Sequence, residues 1–195
     1  MATTRDLTET APPATDETIT CQGERFRLYL TDEAIQSRLQ EIGTAISEEY
    51  EGRTPILVSV LNGAFMVTAD LMRYITIDCE IDFMKLSSYG DEKVSSGNVT
   101  ELKRIDANLQ GRDVIVIEDI VDTGLSMQFI LKKMQAHNPA SLRTVTLLHK
   151  PTSNDTDVTL DYVGFDIPDL FVIGYGLDYG QIARNLPHIY ILDEE

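Results

Sequence analysis

The chain has 195 residues, 25% charged and 43% hydrophobic, a make-up suited to one globular domain that buries about 70% of its unfolded surface. Its charge is lopsided: 32 Asp and Glu against 16 Lys and Arg leave a formal −16, a field that disfavours nucleic acid and anionic membrane as partners. No apolar run approaches the roughly 18 residues of a spanning helix, and no basic-then-apolar leader opens the chain. Cys21 and Cys79, without zinc-type spacing, suit reduced thiols in a cytoplasm.

Residues 1–22 are rich in Thr, Ala, Pro and acid and lack an apolar period, which predicts a flexible acidic tail ahead of a single domain over 23–195. A helix follows. Thr31 suits its N-cap, Asp32 and Glu33 its first turn, and Ile35, Leu39, Ile42 and Ile46 fall on one face. Ile56–Leu61 is a nearly continuous apolar run, the mark of a buried parallel strand. Gly63 opens a helix with Phe65, Ala69 and Met72 spaced for a packed face, and 81–86 resembles a second strand. Residues 87–110 are polar and carry no periodic signal, so a functional flap is expected at about 87–100. Val114, Ile115, Val116 and Ile117 form the clearest buried strand, ending at Glu118-Asp119; the next helix carries a stripe of Met127, Ile130, Leu131 and Met134. Further strands are expected at 145–148 and 171–173. The alternation predicts an α/β fold with a mostly parallel central sheet flanked by helices.

Chemistry concentrates between Val114 and Met127. A hydrophobic strand runs into two acids, then a loop with Asp122, Thr123, Gly124 and Ser126, then a helix. Ligands of open α/β sheets bind beyond the carboxyl ends of the strands, where this loop lies. Loop amides and a helix N-terminus converge there on one point, an anion site, and Gly124 lets a phosphate approach the backbone. The helix dipole adds about 0.3–1 kcal/mol, less than the ~1.5–3 kcal/mol of each amide bond to a charged group, so the amides dominate. Neither GxxxxGK[ST] nor GxGxxG occurs, which removes support for a P-loop nucleotidase or a Rossmann dehydrogenase. Glu118, Asp119 and Asp122 beside an anion site suit a diol and a divalent cation. Isolated acids at strand ends are usually just solvated; the strand–acid–acid–loop–glycine–helix order sets these apart.

This segment resembles the phosphoribosyl-diphosphate motif of type I phosphoribosyltransferases, and other segments narrow the likeness to the hypoxanthine-guanine branch. Leu61-Asn62-Gly63-Ala64 is similar to that family's short pyrophosphate loop, and Ser88-Tyr89 to the start of its mobile flap. Lys150 and the run from Phe171 to Arg184 complete the set in order, over about residues 25–192. The resemblance implies a small hood built from terminal segments and transfer of a 5-phosphoribosyl group from 5-phospho-α-D-ribose 1-diphosphate to N9 of hypoxanthine or guanine. The products would be IMP or GMP and pyrophosphate.

By the same resemblance, Asp122, Thr123, Gly124, Leu125 and Ser126 hold the 5′-phosphate, and Glu118 and Asp119 grip the ribose hydroxyls. Asp122 is the general acid/base at purine N7, Lys150 donates to the exocyclic O6, Phe171 stacks on the base and the Val172 backbone reads its edge. Asp178 also borders the purine and, with Glu118 and Asp119, takes Mg²⁺; Leu61, Asn62, Gly63 and Arg184 face pyrophosphate. The resemblance further implies a homodimer or homotetramer and an unusual peptide at Leu61–Asn62. Some relatives have a basic residue where Asn62 stands, which shifts the pyrophosphate contacts toward Arg184, Mg²⁺ and the Gly63 amide. A donor such as Lys150 selects a 6-oxo over a 6-amino purine. His137, His149 and His188 receive no functional role. Two rivals share these motifs: a xanthine-preferring enzyme, and a non-catalytic nucleotide-sensing regulator, which the shortage of basic residues disfavours.

Overall fold

Strict alternation along the central strands gives one sheet two apolar faces, and helices cover both. The computed structural model describes residues 9–10, 17–88, 99–154 and 156–193. In chain order the elements are β1 (Glu9–Thr10), β2 (Thr18–Cys21), β3 (Glu24–Leu30), α1 (Asp32–Glu49), β4 (Ile56–Leu61), α2 (Phe65–Tyr74), β5 (Glu80–Ser88) and β6 (Val99–Lys103). After them come β7 (Asp113–Val121), α3 (Leu125–Gln135), β8 (Ser141–His149), β9 (Tyr162–Asp166), β10 (Val172–Ile173) and β11 (Ile189–Leu192). The larger sheet runs β1-β9-β8-β7-β4-β5-β6, parallel except where β6 pairs antiparallel with β5. A smaller antiparallel sheet, β10-β11-β3-β2, joins the chain's beginning to its end as the hood.

Ile115 and Ile117 of β7 and Leu57 of β4 face α1 and α2, where they meet Ile35, Leu39, Ile42, Ile46 and Leu71. Their neighbours Val114, Val116, Ile56 and Val58 face the other way, onto Met127, Ile130 and Met134 of α3. At the start of α1 the Thr31 hydroxyl accepts from the Ala34 amide at 3.2 Å, satisfying one of the helix's unpaired donors. Ile42 is fully buried at the centre of the α1 face. Ile42→Ala is expected to cost about 2–5 kcal/mol of unfolding free energy, read by urea denaturation.

The α/β class, the apolar face of α1, the stripe of α3 and the parallel strands at β4, β5, β7 and β8 stand where the sequence puts them. Five details differ. The buried face of α2 is Val67, Thr68 and Leu71; Phe65 and Ala69 point outward and Met72 is half-buried. Thr68 is drawn inward by its hydroxyl, which donates to Ser59 Oγ of β4 at 2.8 Å. β7 continues through Glu118 and Asp119 to Val121, since β8 pairs with it as far as Val121↔His149. Of residues 171–173, Val172 and Ile173 form β10 of the hood, and the parallel strand next to β8 is β9 instead. The expected featureless stretch contains β6, and the expected tail contains β1 and β2, all three stabilised by neighbouring strands. Of the expected flap, Tyr89 and residues 90–98 lie outside the described residues; Ser88 closes β5, paired with Val99.

Candidate active site

The strand order reverses between β4 and β7: β4 leads outward through α2 to β5, and β7 leads the opposite way through α3 to β8. The crevice at such a switch point is where open α/β sheets bind ligands. Here it receives the loops after both strands, and they touch. A Cβ on Gly63 would lie 1.8 Å from Asp119 Oδ2, so only glycine lets the β4 loop lie against this carboxylate. The Leu61–Asn62 peptide in that loop is cis, and Asn62 is exposed.

Beyond β7 lies a cavity of about 300 Å³, lined by Glu118, Asp119, Asp122, Thr123, Gly124 and Ser126 among others. Gly124 caps α3 with φ at +81°, a left-handed conformation that a side chain would strain. A Cβ there would also meet Thr156 Oγ1 at 2.2 Å and Asn154 Oδ1 at 2.5 Å. Those two are fixed together: Asn154 Oδ1 accepts from the Thr156 hydroxyl at 2.8 Å, and the Asn154 amide lies 3.3 Å from His149 Nε2. His149 Nδ1 in turn lies 2.8 Å from Asp166 Oδ1. The first-turn amides of α3 have no side-chain cap, which suits them to an anion. Leu125 and Ser126 belong to that first turn, and Leu125 is exposed.

Glu118 is buried, and desolvation, with Asp119 beside it, pushes its carboxyl well above the usual range. Desolvation also raises Asp119, to about 6, against the opposing pull of backbone hydrogen bonds and Arg184. The folded chain therefore binds protons at this pair more readily than the unfolded chain. Ionising the pair costs stability above about pH 6, and that cost fades as the pH falls toward the ordinary carboxylate range. Without ligand, Glu118→Gln is expected to melt above wild type at about pH 8, with the gap closing by about pH 4, as followed by calorimetry.

Lys150 follows β8 and is only 7% exposed, unlike an ordinary loop lysine. Its ammonium donates to Asp122 Oδ2 at 3.0 Å and to Asp169 Oδ1 at 3.1 Å. Its backbone amide donates to Val121 O at 3.0 Å, which fixes the lysine to the edge of the phosphate loop. Phe171 is 45% exposed and packs edge-on to Tyr179, ring centres 5.4 Å apart, with Phe26 of the hood behind both. Val172 is buried in β10.

Arg184 and Asp178 form an ion pair at 2.6 Å, and Asp178 Oδ2 also accepts from the Gln181 amide at 2.8 Å. Arg184 donates to Gly176 O at 2.8 Å, while a Cβ on Gly176 would fall 2.1 Å from Gly63 O. The 174–184 loop is thus pressed against the β4 loop. It is anchored by Tyr175, whose buried hydroxyl donates to Asp70 Oδ2 of α2 at 2.6 Å. Glu118, Asp119, the 122–126 loop, Gly63, Lys150, Asp178 and Arg184 are thus linked contact by contact, whereas Phe171 and Val172 pack in the hood, and the Ser88 side chain and Tyr89 lie outside the described residues. Sequence reasoning does not reach Asp169, Tyr175, Tyr179 or Phe26. None of these leaves a signal in the sequence, because the part each plays depends on burial and contacts that the fold creates.

A switch-point anion loop, a carboxylate pair for a diol and a lysine–aspartate pair beside an aromatic shelf define an enzyme class that handles a phosphorylated sugar and a flat base. Residues 29–180 match the phosphoribosyl transferase domain. Over 166 residues the chain is 42% identical to the hypoxanthine-guanine phosphoribosyltransferase of Bacillus subtilis (strain 168), covering 85% of this chain and 92% of that one. A crystal structure of a hypoxanthine phosphoribosyltransferase from Staphylococcus aureus superposes with a TM-score of 0.82 at 40% identity, covering 85% and 90% of the two chains. One of a hypoxanthine-guanine phosphoribosyltransferase from Bacillus anthracis, with HEPES in its active site, gives 0.81 at 41% identity, covering 85% and 98%. The chain belongs to the hypoxanthine-guanine phosphoribosyltransferase family.

Proposed function

We propose that this chain is a purine-salvage enzyme that transfers the 5-phosphoribosyl group of 5-phospho-α-D-ribose 1-diphosphate to N9 of hypoxanthine or guanine, giving IMP or GMP and pyrophosphate. The observation that carries this is the Lys150 ammonium held 3.0 Å from Asp122, on the rim of the phosphate loop. That pair offers a 6-oxopurine a donor for O6 and a carboxylate for N7 from one side. Amides of residues 122–126 take the 5′-phosphate, and Glu118 and Asp119 take the ribose hydroxyls. Phe171 supports the ring and the Val172 backbone reads its edge. Leu61, Asn62, Gly63 and Arg184 face the leaving pyrophosphate.

In this reading Asp122 accepts the purine proton as the C1–pyrophosphate bond breaks and the N9–C1 bond forms, a positioned acid/base worth about 10²–10⁴-fold. Arg184 balances negative charge on the leaving group. No three His, Cys, Asp or Glu gather into a metal cage among the described residues. Mg²⁺ carried in by a pyrophosphate needs only one or two carboxylates and keeps several waters, so Asp178, Glu118 and Asp119 fit it as donors. When bound, the ion offsets charge on the pyrophosphate.

A homodimer or homotetramer belongs to the same reading. Cys21 and Cys79 are free thiols, which supports a cytoplasmic setting, and no described helix is long and apolar enough to cross a membrane. Neither the xanthine-preferring enzyme nor the non-catalytic regulator is favoured. The test is a spectrophotometric assay with phosphoribosyl diphosphate, Mg²⁺ and each of hypoxanthine, guanine, xanthine and adenine. Turnover of hypoxanthine or guanine with adenine inert is expected; turnover of adenine, or of xanthine alone, contradicts the reading.

A further inference from the structure

We propose that Asp169 is a positioning residue for base recognition: it holds the Lys150 ammonium in place and balances its charge while Asp122 takes the purine proton. This rests on the roles of Asp122 and Lys150 given above. An ammonium has three N–H donors. In this structure Asp122 Oδ2 takes one at 3.0 Å and Asp169 Oδ1 another at 3.1 Å, which fixes the rotor and leaves a third donor for O6 of the base.

The two carboxylates are not equivalent. Asp122 belongs to the phosphate loop and is the group that meets the purine proton, and a carboxyl that has taken up a proton no longer balances the charge of Lys150. A lysine only 7% exposed cannot then stand without an anionic partner, because a buried unpaired charge is costly. Asp169 supplies that partner from outside the reacting groups. Hydrogen bonds from Lys150 and then Ser153 hold its carboxyl below the usual carboxylate range, so it stays an anion while Asp122 takes the purine proton. The Ser153 amide donates to Lys150 O at 3.1 Å, which closes a small ring around the lysine.

Placement in the chain adds a second function. Asp169 sits two residues before Phe171, in the turn where the Leu170 amide donates to Pro168 O at 2.8 Å. Holding Lys150 therefore also sets the distance between the donor that reads O6 and the ring that supports the base. The Asp169 side chain is itself 64% exposed, so its ion pair adds little to stability. A recognition role and a structural one can thus be told apart.

Steady-state kinetics of Asp169→Asn and Asp169→Glu beside wild type test this. Asp169→Asn is expected to raise KM for hypoxanthine about tenfold, with a smaller fall in kcat, KM for phosphoribosyl diphosphate unchanged and Tm unmoved. Asp169→Glu, which keeps the charge, should recover most of the loss. Wild-type kinetics in Asp169→Asn overturn the proposal. So does a parallel rise of both KM values with a lowered Tm and no rescue by glutamate. If wild type itself fails to use hypoxanthine, the functional reading falls and this role falls with it; active wild type beside an indifferent Asp169→Asn removes Asp169 alone.

Discussion

Asp122→Asn is expected to lower kcat about 10²–10⁴-fold while leaving KM for phosphoribosyl diphosphate nearly unchanged. Asparagine keeps the shape of the side chain and leaves in place the loop amides proposed to face the 5′-phosphate. What it cannot do is take the purine proton. Lys150 loses one anionic partner in the variant but keeps Asp169 at 3.1 Å, so the lysine stays in position and the loss reports on proton transfer. Stopped-flow or steady-state kinetics with hypoxanthine measure it. Unchanged turnover would remove Asp122 from the chemistry.

Gly63→Ala is expected to lower kcat/KM for phosphoribosyl diphosphate about 100-fold, because misplacing a site group by about 1 Å costs that much. The added methyl would sit 1.8 Å from Asp119 Oδ2 and 2.4 Å from its Cγ, so either the carboxylate or the β4 loop must move. Both are proposed to face the ribose-diphosphate, and Gly176 presses on Gly63 O from the other side, which leaves the loop little room to retreat. Wild-type kcat/KM in this variant would separate the β4 loop from substrate binding.

Much of the parallel sheet was legible because its strands are buried on both faces. Val114 to Ile117 cannot be anything but interior, and the two-residue alternation then assigns each side chain to one helical layer. The strands that escaped notice are those whose existence depends on a partner. β6 carries a lysine and a glutamate and, among the described residues, pairs with β5 alone, as β2 pairs with β3 alone. β9 is short and flanked by polar residues, yet it is buried because β8 lies alongside. The α2 face was misassigned because Phe65-Ala69-Met72 and Val67-Thr68-Leu71 both obey helical spacing. A threonine–serine hydrogen bond to β4, invisible in hydropathy, decides between them.

The site divides along the same line. Glu118 to Ser126 is one contiguous segment, so sequence order alone places its acids, glycine and hydroxyls together. Lys150 and Arg184 become legible through resemblance to a family, since neither spacing nor composition distinguishes them from surface cations. Asp169 was missed because its importance comes from the burial of Lys150, which only the fold reveals. The ion pair of Asp178 with Arg184 is likewise set by the turn at Gln181, whose φ is +73°.

The net charge of −16 gains a local meaning from this arrangement. Desolvation raises the Glu118 and Asp119 carboxyls where they line the cavity, and a diol or a divalent cation bound there would relieve them. In the proposed reading, substrate phosphates meet backbone amides and Arg184 instead of a basic surface.

Phosphorus NMR of a reaction containing the protein, phosphoribosyl diphosphate, Mg²⁺ and hypoxanthine tests the central claim most directly. The expected result is loss of the phosphoribosyl diphosphate signals with equal growth of IMP and pyrophosphate, dependent on the base. Consumption without hypoxanthine, release of inorganic phosphate in place of pyrophosphate, or no consumption at all would contradict it.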